Sequence, residues 1–403
     1  MKQLSPSDRS AVLESARAMK MARSAHAFVR GNTAKFYDWL AASPSARRLP
    51  SGPAIWICGD CHLGNLGPLA DGRGGIEIQI RDLDQTVIGN PAHDLIRLAL
   101  SLATAARGSD LPGVVTARMI EQMVEGYGDA LSDPDARGDE AGPGPEPDAV
   151  RVINHRALGR RWHHLARERI DDAEPQIPLG KKFWLVSPEE RAALTGLIEN
   201  AATQRLILSL GREDKHREVR LVDAAWWVKG CSSLGLMRYA VVVAIRGAKG
   251  REEYGLIDVK EATTPAAPAA RHAAMPKDQA ERVVTGARAL SPYLGERMIA
   301  ATLLDRPVFL RELAPQDLKL EVEQFTRGEA ARAARYLAYV VGKAHARQME
   351  PTTRAEWQKT MAARRDGALD APSWLWESVV DLSGSHEAGY LEHCRRYALG
   401  KAA

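Results

Sequence analysis

The sequence predicts an α+β fold in two lobes, one largely helical and one smaller and built on an antiparallel sheet. Three observations carry this. Helix-start signals followed by amphipathic runs dominate both ends of the chain. From about Val219 the pattern changes to β-branched segments joined by glycine turns. Between them, residues 132–149 are rich in Pro, Gly and acid, cannot contribute to a core, and read as a linker or mobile loop. At 403 residues the chain exceeds a single domain of about 150. The expected organisation is a helical lobe over 1–218, a β-rich lobe over 219–325, and helices over 326–403 that return to the first lobe.

The elements follow in order. Ser5-Pro6-Ser7-Asp8 starts a helix that should run to about Ala25. Phe28-Val29-Arg30-Gly31 should break it, with a second helix near Ala34 to Ala42. Ala54 to Cys58 is a short apolar run and reads as a buried strand, and Ile76 to Ile80 alternates as a strand does after the Asp71–Gly75 turn. Asp94 is placed to cap a helix through Ala106. A basic helix is expected over 151–170, its charges mostly a solvated face; the adjacent His163 and His164 point to different sides and make no chelating pair. Ser187-Pro188-Glu189-Glu190 starts another helix. Strands are expected at Leu221 to Val228, Arg238 to Ile245, Tyr254 to Val259 and Phe309 to Leu313. Helices should run from Asp278 to Leu290, from Glu329 to Gln348, and through most of 354–400.

Composition narrows the function class. The chain is 45% hydrophobic and 26% charged, an ordinary globular mixture. A net charge of +4 is too weak to argue for nucleic acid, though it suits phosphate-bearing ligands. The cysteines Cys58, Cys61, Cys231 and Cys394 are too scattered for a disulfide framework. Cys58-x-x-Cys61 has redox or zinc spacing but no second pair follows. No apolar leader follows Met1-Lys2, and the apolar run Leu95 to Ala106 is too short to span a bilayer, so a cytoplasmic protein without a membrane partner is expected.

The densest chemistry lies between residues 59 and 94: Gly59-Asp60-Cys61-His62-Leu63-Gly64-Asn65, then Arg81-Asp82-Leu83-Asp84, then Gly89-Asn90-Pro91-Ala92-His93-Asp94. Acids and an amide just after strand ends are hard oxygen donors of the kind magnesium takes alongside substrate phosphates. Phosphoryl transfer also needs a carboxylate to position the acceptor hydroxyl. Gly59-Asp60-x-His62 after a strand is also similar to the opening motif of metallophosphatases, but the later histidine motifs of a two-metal site are missing from the sequence.

Asp60 with Asn65, followed by Asp82 and then Asp94, resembles the loop of aminoglycoside-phosphotransferase-like kinases. By that resemblance Asp60 is the catalytic carboxylate, Asn65 and Asp82 are metal ligands, and Asp84 stands where kinases have the glycine of their D-F-G triplet, as a further metal candidate. His62 is implied as scaffold, and Asp94 as an acid tying down the loop. More narrowly, Phe28-x-Arg30-Gly31, the 59–65 loop, Asp82-Leu83-Asp84, Lys260-Glu261-Ala262 and His345-Ala346-Arg347 resemble the bacterial family called domain of unknown function 2252.

The second half holds the nucleotide-like parts. Gly230-x-Ser232-x-x-Gly235 between two strands has the spacing of the kinase glycine-rich loop, and Lys260 ends the next strand, where kinases place the phosphate-binding lysine. Glu281, on the following helix, is the expected partner of Lys260; Glu261 is disfavoured because it points to the opposite face. Arg30 and Lys319 are further phosphate-binding candidates, with ordinary ion pairs the plainer reading. In kinases the glycine loop precedes the catalytic loop; here it follows, which implies a circularly permuted kinase-like fold. The expectation is an ATP- and Mg2+- (or Mn2+-) dependent phosphotransferase acting on a small-molecule hydroxyl. The alternatives are nucleotidyl transfer or a nucleotide-binding pseudokinase, and, further off, a phosphoesterase.

Overall fold

The computed structural model describes residues 6–71, 75–132, 147–158, 175–209, 218–231, 233–246, 252–313, 326–363 and 370–400. Ser232, Lys319, His163, His164 and most of the 132–149 segment lie outside the described residues.

The chain is mixed α+β with antiparallel sheets. Helices α1 (Pro6–Met21), α2 (Ala25–Gly31) and α3 (Thr33–Ala42) come first. Phe28 to Gly31 does not break a helix, contrary to expectation. Ser24 caps α2 by accepting from the Ala27 N–H at 3.1 Å, so these residues form its last turn. Strand β1 (Ile55–Ile57) pairs with β4 (Val87–Gly89), and β2 (Leu66–Ala70) with β3 (Ile76–Ile80), as two separate two-stranded ribbons.

Helix α4 (Pro91–Gly108) is buried on almost every side. Its cap is Asn90 rather than Asp94: the Asn90 side chain accepts from Ala92 N–H, and Pro91 occupies the first turn, where its missing N–H costs nothing. That releases Asp94 for another task. Around α4 pack α2, α5 (Gly113–Ser132), α11 (Arg327–Ala346) and α13 (Ser373–Gly400), while α6 (Asp148–Leu158) lies on β2, β3 and α11, and α12 (Pro351–Ala362) on α5. Helices α5 and α11 approach so closely that a Cβ on Gly126 would lie 2.1 Å from the Arg335 carbonyl oxygen.

The second part is a six-stranded sheet in the order β5-β6-β7-β8-β10-β9: β5 (Phe183–Leu185), β6 (Glu218–Trp227), β7 (Arg238–Arg246), β8 (Glu252–Glu261), β9 (Met298–Leu303) and β10 (Arg306–Glu312), every pair antiparallel. It begins before residue 219, because β5 joins it, and α7 (Pro188–Glu199), capped by a Ser187–Glu190 capping box, packs on it together with α8 (Ala201–Ser209).

Strand β7 explains the layering. Tyr239, Val241, Val243 and Ile245 enter one core with Leu13 of α1 and Leu194 and Ile198 of α7; Ala240 and Val242 enter another with Phe183, Trp227 and Leu256. Period-two alternation with both faces covered makes β7 continuously apolar, and each fully buried valine contributes about 1.5–3 kcal/mol. On the second face the pattern ends in charge. Arg238, Lys260 and Phe309 form one row across β7, β8 and β10, and Ala240, Asp258 and Arg311 form the next. Helix α9 (Gln279–Leu290), followed by the single turn α10 (Pro292–Gly295), covers this end of the sheet and joins it to the helical core. No helix among the described residues is long and apolar enough to cross a membrane.

Candidate functional site

The site begins where β1 ends. Gly59 has φ +74°, and a Cβ there would lie 2.2 Å from the Gln85 carbonyl oxygen, so only glycine makes this bend. Asp94 accepts from the N–H groups of Cys58 (2.7 Å) and Gly59 (2.9 Å). Nε2 of His345 lies 3.2 Å from the same Asp94 carboxylate, and its Nδ1 lies 2.8 Å from the Tyr127 hydroxyl, to which Trp357 Nε1 donates at 3.2 Å. Tyr37 donates to the Gly59 carbonyl at 2.6 Å. The loop is therefore held from α3, α4, α5, α11 and α12 through buried, mutually satisfied polar groups. Cys58 and Cys61 are free and buried within it. Their mutual hydrogen bond and burial push the Cys58 thiol well above its ordinary range, which makes it a poor nucleophile.

Asp60 sits at the centre of this loop, 6% exposed. Arg97 of α4 donates to it through Nε at 2.9 Å, and His62 Nε2 lies 3.9 Å from its other oxygen. Burial raises the Asp60 carboxyl above its usual range, against the pull of Arg97. Burial, together with the charges of Arg30 and Arg97, pushes His62 well below the usual histidine range, so it is neutral. Asn65 donates to the Asp60 carbonyl at 2.9 Å, and Arg81 N–H donates to the Asn65 carbonyl at 2.7 Å. That last bond clips the Asp60 loop to the segment after β3.

Asp82 and Asp84 stand on that segment. Lys260, 3% exposed at the end of β8, reaches both: its Nζ is 3.3 Å from Asp82 Oδ1 and pairs directly with Asp84 Oδ2. The partners lie 178 and 176 positions apart in the chain. Burial and the neighbouring Asp82 raise Asp84 to about 7. The Asp82 side chain is nearly half exposed, so the upward pull of burial is weak there, and Lys260, the hydrogen bond with Asp84, Arg238 and Arg311 together hold it below the carboxylate range. The second oxygen of Asp84, Oδ1, is buried and has no hydrogen-bond partner. Helix α9 fixes the backbone here: Arg282 donates to the carbonyls of Asp84 and Thr263 at 2.9 Å each and to that of Thr86.

The expected Glu281 partner of Lys260 is corrected. Glu281 is exposed in the first turn of α9, its N–H capped by Asp278, and the inward position of that turn belongs to Arg282. Glu261 turns the other way, to Arg306 and the Met237 N–H. Beneath Lys260, Asp258 is held by Arg238 (2.8 and 2.5 Å) and by Arg311 (3.2 Å). Burial favours its neutral form, yet the two guanidinium groups keep it ionised, below the usual range. Arg81, Asp82, Arg238, Lys260, Phe309 and Arg311 border a space of about 20 Å3, enough for a water and no more.

The glycine turn lies beside Arg238, whose Nη1 would be 3.9 Å from a Cβ on Gly230. Gly230 (φ +100°) and Gly235 (φ +104°) adopt backbone that favours glycine. Lys20 donates to the Gly230 carbonyl at 3.0 Å, and Cys231 packs on Gly31 at the end of α2. Arg30 lies flat over Gly64, with its Cζ 2.7 Å from where a Cβ would be. The structure thus brings Arg30, Asp60, His62, Asn65, Asp82, Asp84, Asp94 and Lys260 into one neighbourhood, with Gly230 at its edge.

Sequence reasoning missed Arg97, Arg238, Asp258, Arg282 and Arg311. The available signal was a charge at an inward position of an apolar strand or helix, as at Asp258 in Leu256-Ile257-Asp258-Val259. Among the described residues no group of three or more His, Cys, Asp or Glu is arranged to hold a metal ion.

No curated protein and no solved structure matches the chain. A family model described as "Uncharacterized protein conserved in bacteria (DUF2252)" matches residues 9–396, and the chain belongs to that family.

Proposed function

We propose that this protein is an ATP- and Mg2+-dependent phosphotransferase on a kinase-like, circularly permuted two-lobe fold, acting on a hydroxyl of a small molecule. One observation carries the reading: Lys260, from the sheet, meets Asp82 and Asp84, from the loop next to Asp60, across 178 and 176 positions of chain. A phosphate-binding lysine, hard metal ligands and a buried carboxylate in one place are what phosphoryl transfer needs.

The residues fit a divalent cation. Asp84 Oδ1 is a buried acceptor without a donor, and it stands beside a second carboxylate close enough to raise Asp84 to about 7. Such a pair favours either a proton or a cation, and two carboxylates with an amide oxygen suit magnesium, which takes its other ligands from water and phosphates. In this reading Asp82, Asp84 and Asn65 hold the ion. When bound, it neutralises charge on the transferring phosphoryl group.

Asp60 orients the acceptor hydroxyl and takes its proton; Arg97 keeps the carboxylate in one rotamer, and burial raises its basicity. Asp94 and His345 hold the loop at the height Asp60 requires. Lys260, Arg238 and Arg311 supply positive charge for nucleotide phosphates on the sheet side, and the Gly230–Gly235 turn supplies backbone N–H groups. The space beside Lys260 holds only a water, so nucleotide entry separates Lys260 from its carboxylates.

The test is isothermal titration with a non-hydrolysable ATP analogue, with and without magnesium, on the wild type, Lys260→Ala and Asp82→Asn. Magnesium-dependent binding weakened in both variants supports the reading. A folded wild type that binds no nucleotide sinks it. Product mass then separates phosphoryl from AMP transfer.

A further inference from the structure

The two edges of the six-stranded sheet are built differently. At one edge β5 is three residues long and follows the exposed Lys181 and Lys182, both of which discourage a further strand from pairing. At the other, β9 runs for six residues, Met298–Leu303, without a charge, a proline or a bulge.

The neighbouring strand fixes which backbone groups of β9 are free. The Pro307 carbonyl accepts from the Ala262 N–H at 2.9 Å, so the Pro307 backbone faces β8 and not β9. Thr302 stands opposite Pro307, and Ala300 opposite Phe309. By alternation, the N–H and C=O groups of Thr302 and Ala300 point away from β10, while Ala301 and Leu303 make the ladder. The hairpin gives the same phase. Leu304 and Asp305, with φ +49° and +59°, form a two-residue turn that closes on the pair Leu303–Arg306. No described residue bonds to the outward groups of Ala300 and Thr302.

A groove of about 480 Å3 runs beside them, walled by Ala193, Gly196 and Leu197 of α7 and Thr203 of α8. That is within the roughly 300–1,000 Å3 of ordinary ligand clefts. Its helix wall leaves room, since a Cβ on Gly196 would meet nothing within 4 Å. No charged side chain borders it, so a charge held there would have no counter-charge. Two N–H donors and two carbonyls, spaced two residues apart, match an antiparallel strand.

We propose that this groove receives an extended segment of another protein, uncharged and apolar at its centre, as a seventh strand on β9. Two of its residues exchange hydrogen bonds with Ala300 and Thr302. The residue between them turns its side chain to the face of Ala301, where Leu197 and Ile198 pack. A second copy of the chain suits the groove less well. Two-fold pairing of one β9 with another keeps the helices of both copies on one face and brings α7 and α8 of each together over the joint.

The experiment titrates acetylated heptapeptides Lys-Thr-Thr-Z-Thr-Thr-Lys, with Z as Val, Leu, Phe, Glu or Lys, into the full chain and follows amide hydrogen exchange. An apolar Z should bind and slow exchange at the Ala300 and Thr302 amides, whereas those of Ala301 and Leu303 are protected without peptide. Glu or Lys at Z should weaken binding at least about tenfold. Thr302→Pro removes an outward N–H and no bond to β10, so the sheet keeps its ladder and the peptide binds at least about tenfold more weakly. Gly196→Leu narrows the groove from the helix side and should do the same, which keeps the test decisive if Thr302→Pro does not fold. The proposal is overturned if no apolar peptide binds, if charged peptides bind equally well, if the outward amides exchange as before, or if binding survives both substitutions. A dimer in sedimentation that Thr302→Pro dissolves also overturns it, because the edge then belongs to a second copy.

Discussion

Asp258 and Asp84 lie around the same lysine and differ in every respect that matters. Asp258, on β8, is 1% exposed, and two arginines hold its carboxylate fully ionised. Asp84, on the loop after β3, shares one lysine with Asp82, has a buried oxygen without a donor and is raised to about 7. The sheet carries the matched carboxylate and the loop carries the unmatched one. A matched buried charge holds strands together; an unmatched one leaves a place for something the chain does not contain.

The comparison can be broken by mutation. The largest effect is expected for Asp258→Ala, which leaves Arg238 and Arg311 buried side by side without a counter-charge. We expect a loss of about 3–5 kcal/mol in urea denaturation. Asp84→Ala should cost about 1 kcal/mol or less, because Lys260 keeps Asp82. If Asp84→Ala proves the more destabilising, the contrast is wrong. The same variant should lower the affinity for the magnesium–nucleotide analogue by at least about 100-fold, since even groups behind the ligands are worth about 10–100-fold.

His345→Phe keeps the bulk but removes the link from Asp94 to Tyr127. We expect a cost of about 1–3 kcal/mol, with turnover falling more than nucleotide affinity, because the displaced group is the Asp60 loop. Unchanged turnover would show that the two backbone bonds of Asp94 hold the loop unaided.

A last effect concerns buried histidines, which meet burial by staying neutral. Burial lowers His93 to about 4 and His386 to about 3, from an ordinary value near 6.5. Below about pH 6.5 the unfolded chain takes up protons that the folded chain refuses, so their contribution is complete above 6.5 and is lost as pH falls toward 4. Urea midpoints at pH 7 and pH 5 should show that drop, and His386→Gln should reduce it.

Much of the candidate site was legible because it sits at strand ends, where side chains are read one after another along the sequence. Asp60, Asn65, Asp82, Asp84 and Lys260 are such residues, and they meet, with Asp94 joining them from the first turn of α4. The partner of Lys260 was not legible. A helix acid was expected, but the carboxylates that meet the lysine come from the loop that also carries the metal candidates. Strand β9 was overlooked because Met298–Leu303 is rich in alanine and its burial is partial, as befits a sheet edge. Strand β5 has only three residues and becomes a strand only by pairing with β6.

By itself the sequence determined the order and type of most elements, the turns that require glycine, and the loops that carry acid. These follow from periodicity and backbone sterics, which act over a few neighbouring residues. Only the tertiary structure decided that Asn90, not Asp94, caps α4, that Arg97 answers Asp60, and that Lys260 meets Asp82 and Asp84. Those choices depend on which charges are buried together, and a buried charge takes its partner from whatever the fold brings within a few ångströms, at any distance along the chain.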